Sequence, residues 1–152
     1  MTTFSQRDAR AVASILRDAA QAEILPRFRG EIAQDIRQKT SSFDLVTDAD
    51  EAAEAAIATA LQREFPGCAV IGEEASARDP TLLDTLSESD LTFVIDPVDG
   101  TKNFSAGLPL FGVMAAALQR GEIVAGVILD PIRDDWAMSQ AKVPGSRTAP
   151  AG

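Results

Sequence analysis

The sequence contains no histidine, no tyrosine and only one cysteine, Cys68. A single cysteine excludes a disulfide within the chain and is compatible with a reducing, cytoplasmic location. Without histidine, a general base would have to be a carboxylate or another group. No apolar run approaches the roughly 20 residues that a membrane-spanning helix needs. The charged, amphipathic first twenty residues do not resemble a targeting segment, so we expect no membrane partner.

Basic residues are few: the chain has 14 Lys and Arg against 23 Asp and Glu, which gives a formal net charge of −9. This acidity argues against nucleic acid or an anionic membrane as a partner. Most of the excess acid is expected on solvated helix faces, and a small part in a metal-binding cluster. The 152 residues, 45% of them hydrophobic, are sufficient for one domain with a buried core.

Two helical patterns occupy the first half. Ser5 with Asp8 predicts a helix start, followed by a stripe of apolar residues at helical spacing up to Ala20, with an end near Pro26 and Gly30. A short strand is predicted over 35–39. For the second helix, Asp48 is the predicted N-cap with Glu51 as its partner, and the sequence Pro-Gly at 66–67 ends it.

Apolar runs dominate the second half. They predict strands over 69–72 and 91–95, a hairpin of 111–118 with 123–129, and a short edge strand over 136–138. Residues 75–90 are predicted to form a mobile, polar surface loop with a helical turn near 82–86. Amphipathic helices followed by hairpin-linked apolar runs indicate an α+β fold in which two helices pack on one face of a mainly antiparallel sheet.

The most informative stretch is the sequence DPVDGTKNF at positions 96–104, directly after the strand predicted at 91–95. Asp99-Gly100 alone is typical of an ordinary turn. A plain turn, however, needs neither a second acid, Asp96, nor the rigid Pro97 between the two acids. Mg²⁺ prefers oxygen ligands about 2.0–2.1 Å away. Asp96, Asp99 and the backbone carbonyl of Val98 could supply part of such a shell.

This stretch resembles the D-P-[IV]-D-G-T-x-N-F signature of the inositol monophosphatase family. The Gly-Glu-Glu sequence at 72–74 resembles the family's G-E-E element, and residues 39–50 resemble its K…D-L-V-T-x-x-D element. The three motifs occur in the family's order and cover most of residues 5–140. The resemblance implies the first half of the family's αβαβα sandwich and a Mg²⁺-dependent phosphatase acting on small phosphorylated metabolites.

The resemblance also implies a metal set. Glu73, Asp96 and the Val98 carbonyl would hold a first Mg²⁺ ion, and Asp96 with Asp99 would hold a second. Because adjacent residues of a strand point to opposite sides, only one of Glu73 and Glu74 should face the site, and the resemblance selects Glu73.

Catalytic and substrate roles follow from the same resemblance. Asp50 and Thr101 would orient and deprotonate a water bound to the metal that Glu73 helps to hold. Gly100, Thr101 and Asp99 would contact the substrate, with backbone N–H groups at a helix start receiving its phosphate. Lys39 either helps to organise the site or is solvated surface.

Simpler interpretations exist for the acids near Asp50. Capping of a helix explains Asp48 and Glu51, whereas the resemblance favours a catalytic role for Asp50. A calcium loop starting at Asp48 is excluded, because its sixth position is Ala53 rather than glycine and its twelfth is Thr59 rather than glutamate.

The family's later W-D-x-A-A element has no match, since in the sequence Asp-Trp-Ala at 135–137 the acid precedes the tryptophan. We therefore expect a truncated or frame-interrupted member, with a domain over 1–140 and a disordered tail over 141–152. Such a chain should have little activity alone. Its exposed apolar surface would allow it to form a homodimer. Substrates of the family's kind include inositol monophosphate, histidinol phosphate and nucleotide phosphates. A non-catalytic, metal-binding fragment is the alternative function.

Overall fold

The structure, a computed structural model, describes residues 3–28 and 42–141, with the side chains of the second range described from Thr47 onward. The described residues include four α-helices and five strands. The helices are α1 (Gln6–Ala19), α2 (Ser42–Glu64), α3 (Glu73–Arg78) and α4 (Thr101–Ser105). The strands are β1 (Ala69–Gly72), β2 (Leu91–Asp99), β3 (Gly112–Gln119), β4 (Glu122–Asp130) and β5 (Asp135–Gln140).

The strands form one sheet in the order β1-β2-β3-β4-β5. Only the β1–β2 pair is parallel, and the other three pairs are antiparallel. The two-residue turn between β3 and β4 has positive φ at both Arg120 and Gly121, 50° and 83°, which matches the right-handed twist of a hairpin. The predicted mainly antiparallel sheet, its hairpin and its edge strand are confirmed.

Helix α1 begins as predicted. The Ser5 side chain accepts a hydrogen bond from the Asp8 N–H at 3.1 Å, and the Ser5 N–H donates to the Asp8 carboxylate at 2.7 Å. This reciprocal pair is a capping box. After Ala19 the chain continues through a π-helical turn, Ala20–Ile24, and a 3₁₀ turn, Leu25–Arg27. Pro26 lies in this last turn.

Helix α2 begins at Ser42, six residues before the predicted N-cap, Asp48. That prediction was wrong, because neither glycine nor proline interrupts the sequence from Ser42 to Glu64 and the helix can extend through it. Asp50 consequently lies within the helix rather than in its first turn. Lys39 and the strand predicted over 35–39 lie outside the described residues, as does the tail from 142 onward.

The prediction for residues 75–90 was partly wrong. The helical turn predicted near 82–86 is present as a 3₁₀ helix at Pro80–Thr85, whereas helix α3, at Glu73–Arg78, was not predicted. Asp79 starts the 3₁₀ helix, since its carboxylate accepts a hydrogen bond from the Thr81 N–H at 3.2 Å and proline follows it at the first helical position.

Helices α1 and α2 pack on one face of the sheet, as the sequence predicts. The core contains two clusters of three phenylalanine rings, with centroids 5.0–6.1 Å apart. The clusters are Phe4 with Phe65 and Phe93, and Phe28 with Phe104 and Phe111. The opposite sheet face carries a hollow of about 430 Å³, where Val94, Met114 and Ile128 lie beside Asp96. In the part of the chain that the structure describes, no helix is long and apolar enough to span a bilayer.

Candidate active site

A β-bulge in β2 forms one wall of the site. Asp96 pairs with Met114 and Asp99 with Gly112, so β2 advances three residues while β3 advances two. β1 pairs only as far as Ile95, so Pro97 lies beyond its end. The strand therefore passes through the proline to Asp99 instead of ending at Ile95. The extra residue is typical of the bulges that redirect side chains near functional sites.

Gly100 makes the turn from β2 into helix α4. Its φ of 101° is left-handed, and a Cβ placed on it would lie 3.0 Å from the carbonyl oxygen of Leu110. Both features require glycine. The Asn103 side chain donates a hydrogen bond to the same Leu110 carbonyl at 2.9 Å. Thr101 is exposed at the first position of α4, and the buried Phe104 anchors that helix.

Asp50 reaches the bulge from helix α2. It is 3% exposed, and its carboxylate lies beside the backbone of Val98, which lowers the pKa of Asp50. Its Oδ1 atom is buried without a hydrogen-bond partner in the structure. Burial, followed by the charges of Glu74, Glu73 and Glu54, raises the pKa of Asp50 to about 7.

Asp96 lies within hydrogen-bonding reach of the Glu73 carboxyl group. The pKa of Asp96 is raised to about 8, mainly by burial and secondly by this contact with Glu73. The charges of Glu73, Asp99 and Asp50 contribute further. Its Oδ1 is also buried without a partner. The structure therefore places the four predicted acids close enough to act on one another electrostatically.

Glu73 and Glu74 belong to the first turn of a helix, and not to a strand as the sequence predicts. The charges of both raise the pKa of Asp50. Glu54 was not predicted, and its carboxylate accepts a hydrogen bond from the Glu74 N–H at 3.1 Å. Its spacing of four from Asp50, which puts both on one helix face, could have indicated it.

A cleft of about 370 Å³ adjoins the bulge. Asp99, Gly100 and Asn103 line it together with Asp130. Thr101, which the sequence predicts to contact substrate, is not among its lining residues. The cleft places Asp99 and Gly100, the other two predicted substrate-binding residues, beside each other at its wall.

The chemistry of these acidic residues fits a hard cation better than their arrangement does. Within residues 3–28 and 42–141, no three acidic or cysteine side chains are grouped so as to hold a metal ion. The donor set nevertheless consists of oxygen atoms, two of them buried without a partner, on Asp50 and Asp96. Burial first, and the acidic neighbours after it, raise the pKa values of both groups, and a divalent cation would offset the repulsion between the acids.

Comparisons with known proteins indicate one family. The profile of the inositol monophosphatase family matches residues 1–148. The protein named Nus factor SuhB from Pasteurella multocida is 40% identical over 95 residues, which are 62% of this chain and 33% of that one. Bifunctional phosphatase IMPL2 of Arabidopsis thaliana is 35% identical over 127 residues, 83% of this chain and 34% of that one.

Solved structures show the same fold. Inositol monophosphatase-II from Staphylococcus aureus superposes with a TM-score of 0.68 at 26% identity, covering 90% of this chain and 47% of that one. CysQ from Bacteroides thetaiotaomicron gives a TM-score of 0.65 at 26% identity and the same two shares. The chain thus spans about a third to a half of the length of these relatives. With the family's profile matched over nearly every residue and its fold reproduced, the chain belongs to the inositol monophosphatase family.

Proposed function

We propose that this chain contributes the first-half ligands of a Mg²⁺-dependent phosphatase of small phosphate monoesters. The observation that carries the proposal is the group of mutually repelling acids around Asp96. Asp96 and Asp50 each bury a carboxylate oxygen without a partner, and the charged neighbours that raise their pKa values are acidic. Natural proteins retain such unfavourable groups mainly at functional sites.

The metal would be held by Glu73, Asp96, Asp99 and the carbonyl of Val98. Bound Mg²⁺ lowers the pKa of a coordinated water and neutralises charge on phosphoryl oxygens. In this proposal Asp50, which lies beside the backbone of Val98, would accept a proton from a water beside the acids, and Thr101 would help to orient that water. The chain has no histidine for this role.

The substrate would enter the cleft lined by Asp99 and Gly100, with its phosphate near the start of α4. The cleft volume of about 370 Å³ suits a small metabolite rather than a polymer. Inositol monophosphate, histidinol phosphate and nucleotide phosphates are the candidate monoesters. The predicted cytoplasmic location and homodimer stay predictions.

A non-catalytic function is the second candidate. Its support is that no three acids are grouped for a metal within residues 3–28 and 42–141, and that the first relatives carry the name Nus factor rather than that of an enzyme. Because the matched region is 47% of the Staphylococcus aureus structure, ligands from the rest of such a fold would complete a catalytic site.

The test is Mg²⁺-dependent phosphate release from inositol monophosphate and from a generic monoester. The chain is assayed alone and fused to the unmatched second half of the Staphylococcus aureus enzyme, each with Asp96→Asn as the matched control. We expect turnover by the fusion, loss of that turnover with Asp96→Asn, and little or none from the chain alone, because a half-built site loses both positioning and charge stabilisation. Turnover unaffected by Asp96→Asn would refute the proposed site, and a folded fusion without turnover would favour the non-catalytic function.

A further inference from the structure

We infer that Glu54 is a positioning residue, which fixes the first turn of α3 and thereby directs Glu73 toward Asp96. The inference rests on the proposed function, since Glu73 is there a metal ligand. Glu54 belongs to none of the three motifs. It lies four residues after Asp50 on α2, so the two carboxylates share the helix face that meets β1 and α3.

The hydrogen bond from the Glu74 N–H to Glu54 replaces a missing cap. Gly72 is the N-cap of α3 and has no side chain to accept a bond from the first-turn N–H groups. Glu54 supplies that acceptor from another helix, with an N–O distance of 3.1 Å. A carboxylate at this position also interacts favourably with the positive end of the helix.

The Glu54 carboxyl group occupies the space that a side chain at position 72 would fill. A Cβ added to Gly72 would overlap the Glu54 carboxyl group. The backbone of Gly72, with φ −90° and ψ 156°, is an extended conformation that any residue adopts. A larger residue here would therefore displace the Glu54 carboxyl group rather than strain the backbone.

Fixing the start of α3 has a direct consequence for the site. Glu73 immediately precedes Glu74, and its carboxyl group lies within hydrogen-bonding reach of Asp96. A frayed first turn would let Glu73 leave that position, although its own side chain would be unchanged. Groups that orient metal ligands in this way commonly change metal affinity 10–100-fold when they are removed.

Helix α2 offers a matched control. Glu51 also contacts α3, through an ion pair with Arg78 at 3.6 Å, but both side chains are more than half exposed. This pair joins the same two helices at the last residue of α3, Arg78, rather than at its first turn. Surface pairs of this kind contribute little to stability, so loss of Glu51 should not disturb Glu73.

The experiment uses the intact chain with Glu54→Ala, Glu54→Gln, Gly72→Ala, the double variant and Glu51→Ala. Hydrogen exchange of the Glu74 amide is followed by NMR, and Mg²⁺ affinity by calorimetry. We expect Glu54→Ala to speed Glu74 exchange and weaken Mg²⁺ binding about tenfold or more. Glu54→Gln keeps a carbonyl acceptor and should restore most of the exchange protection.

Gly72→Ala should displace the Glu54 carboxyl group and produce the same two changes. It should add nothing in the Glu54→Ala background, where the space is empty. Glu51→Ala should leave both readouts unchanged. Should Glu54→Ala fail to fold, Gly72→Ala and Glu54→Gln carry the comparison.

Additive effects of Gly72→Ala and Glu54→Ala, or Glu74 exchange in Glu54→Ala equal to that in Glu51→Ala, would overturn the inference. Absence of Mg²⁺ binding in the unaltered chain would count against the proposed metal site instead. The Glu74 exchange and the coupling between Gly72 and Glu54 would then still decide whether Glu54 positions α3.

Discussion

The carboxylate of Asp50 lies beside the backbone of Val98, which lowers the pKa of that carboxyl group against the burial and the acidic neighbours that raise it. The contact joins the interior of α2 to the bulge of β2, where Val98 has no register partner in β3. The position of Asp50 is consequently set by the packing of a helix on a sheet rather than by a loop.

Substitution of Asp50 should separate the volume of its buried side chain from its charge. Asp50→Asn keeps the volume and removes one of the repelling charges. Asp50→Ala removes the same charge but leaves a cavity, so it should be less stable than Asp50→Asn near pH 8 without metal. Urea unfolding in a chelator measures both, with exposed Asp48→Asn as control. Equal unfolding free energies for the Asn and Ala variants would contradict the packing of Asp50.

The metal-free chain should lose stability as the pH rises. The pKa of Asp50 is raised to about 7 and that of Asp96 to about 8 from an ordinary value of 3.8. The native state therefore binds more protons than the unfolded state above about pH 4. Stability is highest at the acidic end of this window and falls until the pH exceeds the native pKa values.

Thermal unfolding in a chelator, at steps from about pH 5 to pH 8.5, tests this direction. The decline should be smaller in Asp50→Asn, which removes one of the two groups. Saturating Mg²⁺ should also reduce it, because the cation offsets the charge that the acids acquire. A melting temperature that rises over this range would contradict the raised pKa values.

Asp96→Asn should abolish the stabilisation that Mg²⁺ gives to the chain. Asp96 is the proposed ligand of both Mg²⁺ ions, so its replacement removes a negative charge from both metal sites. The melting temperature is measured with and without millimolar Mg²⁺, for the unaltered chain and for Asp96→Asn. The exposed Glu88→Gln variant controls for the loss of one negative charge. An equal Mg²⁺-dependent shift in all three proteins would refute the assignment.

The ring of Phe104 should be needed to hold the turn that contains Gly100. It is fully buried, 5.3 Å from the Phe28 ring and 5.1 Å from the Phe111 ring. Phe104→Ala should cost about 3–5 kcal/mol of unfolding free energy, and Phe104→Leu distinctly less. Chemical denaturation measures both, with the exposed Leu108→Ala as a surface control. A cost for Phe104→Ala as small as that for Leu108→Ala would contradict this packing.

The sequence by itself determined the architecture and most of the acids. Alternating and continuous apolar runs predict the sheet, and the Ser5–Asp8 pair predicts the start of α1, because these patterns depend on neighbours close in the chain. The run at 96–104 was sufficient to identify the acids at the end of β2. The family resemblance supplied Glu73 and Asp50, which no local pattern distinguishes from surface acids.

Tertiary structure decided the rest. The start of α2 was placed too late, because a strong capping pattern at Asp48 competes with a longer sequence free of helix breakers. The contact of Asp50 with the backbone of Val98 and that of Glu54 with Gly72 and Glu74 join segments about 20 to 50 residues apart. Such contacts depend on how α2 lies across the sheet, which is set by burial of its whole apolar face. No short stretch of sequence contains that information, because the interacting groups become neighbours only when the chain has folded.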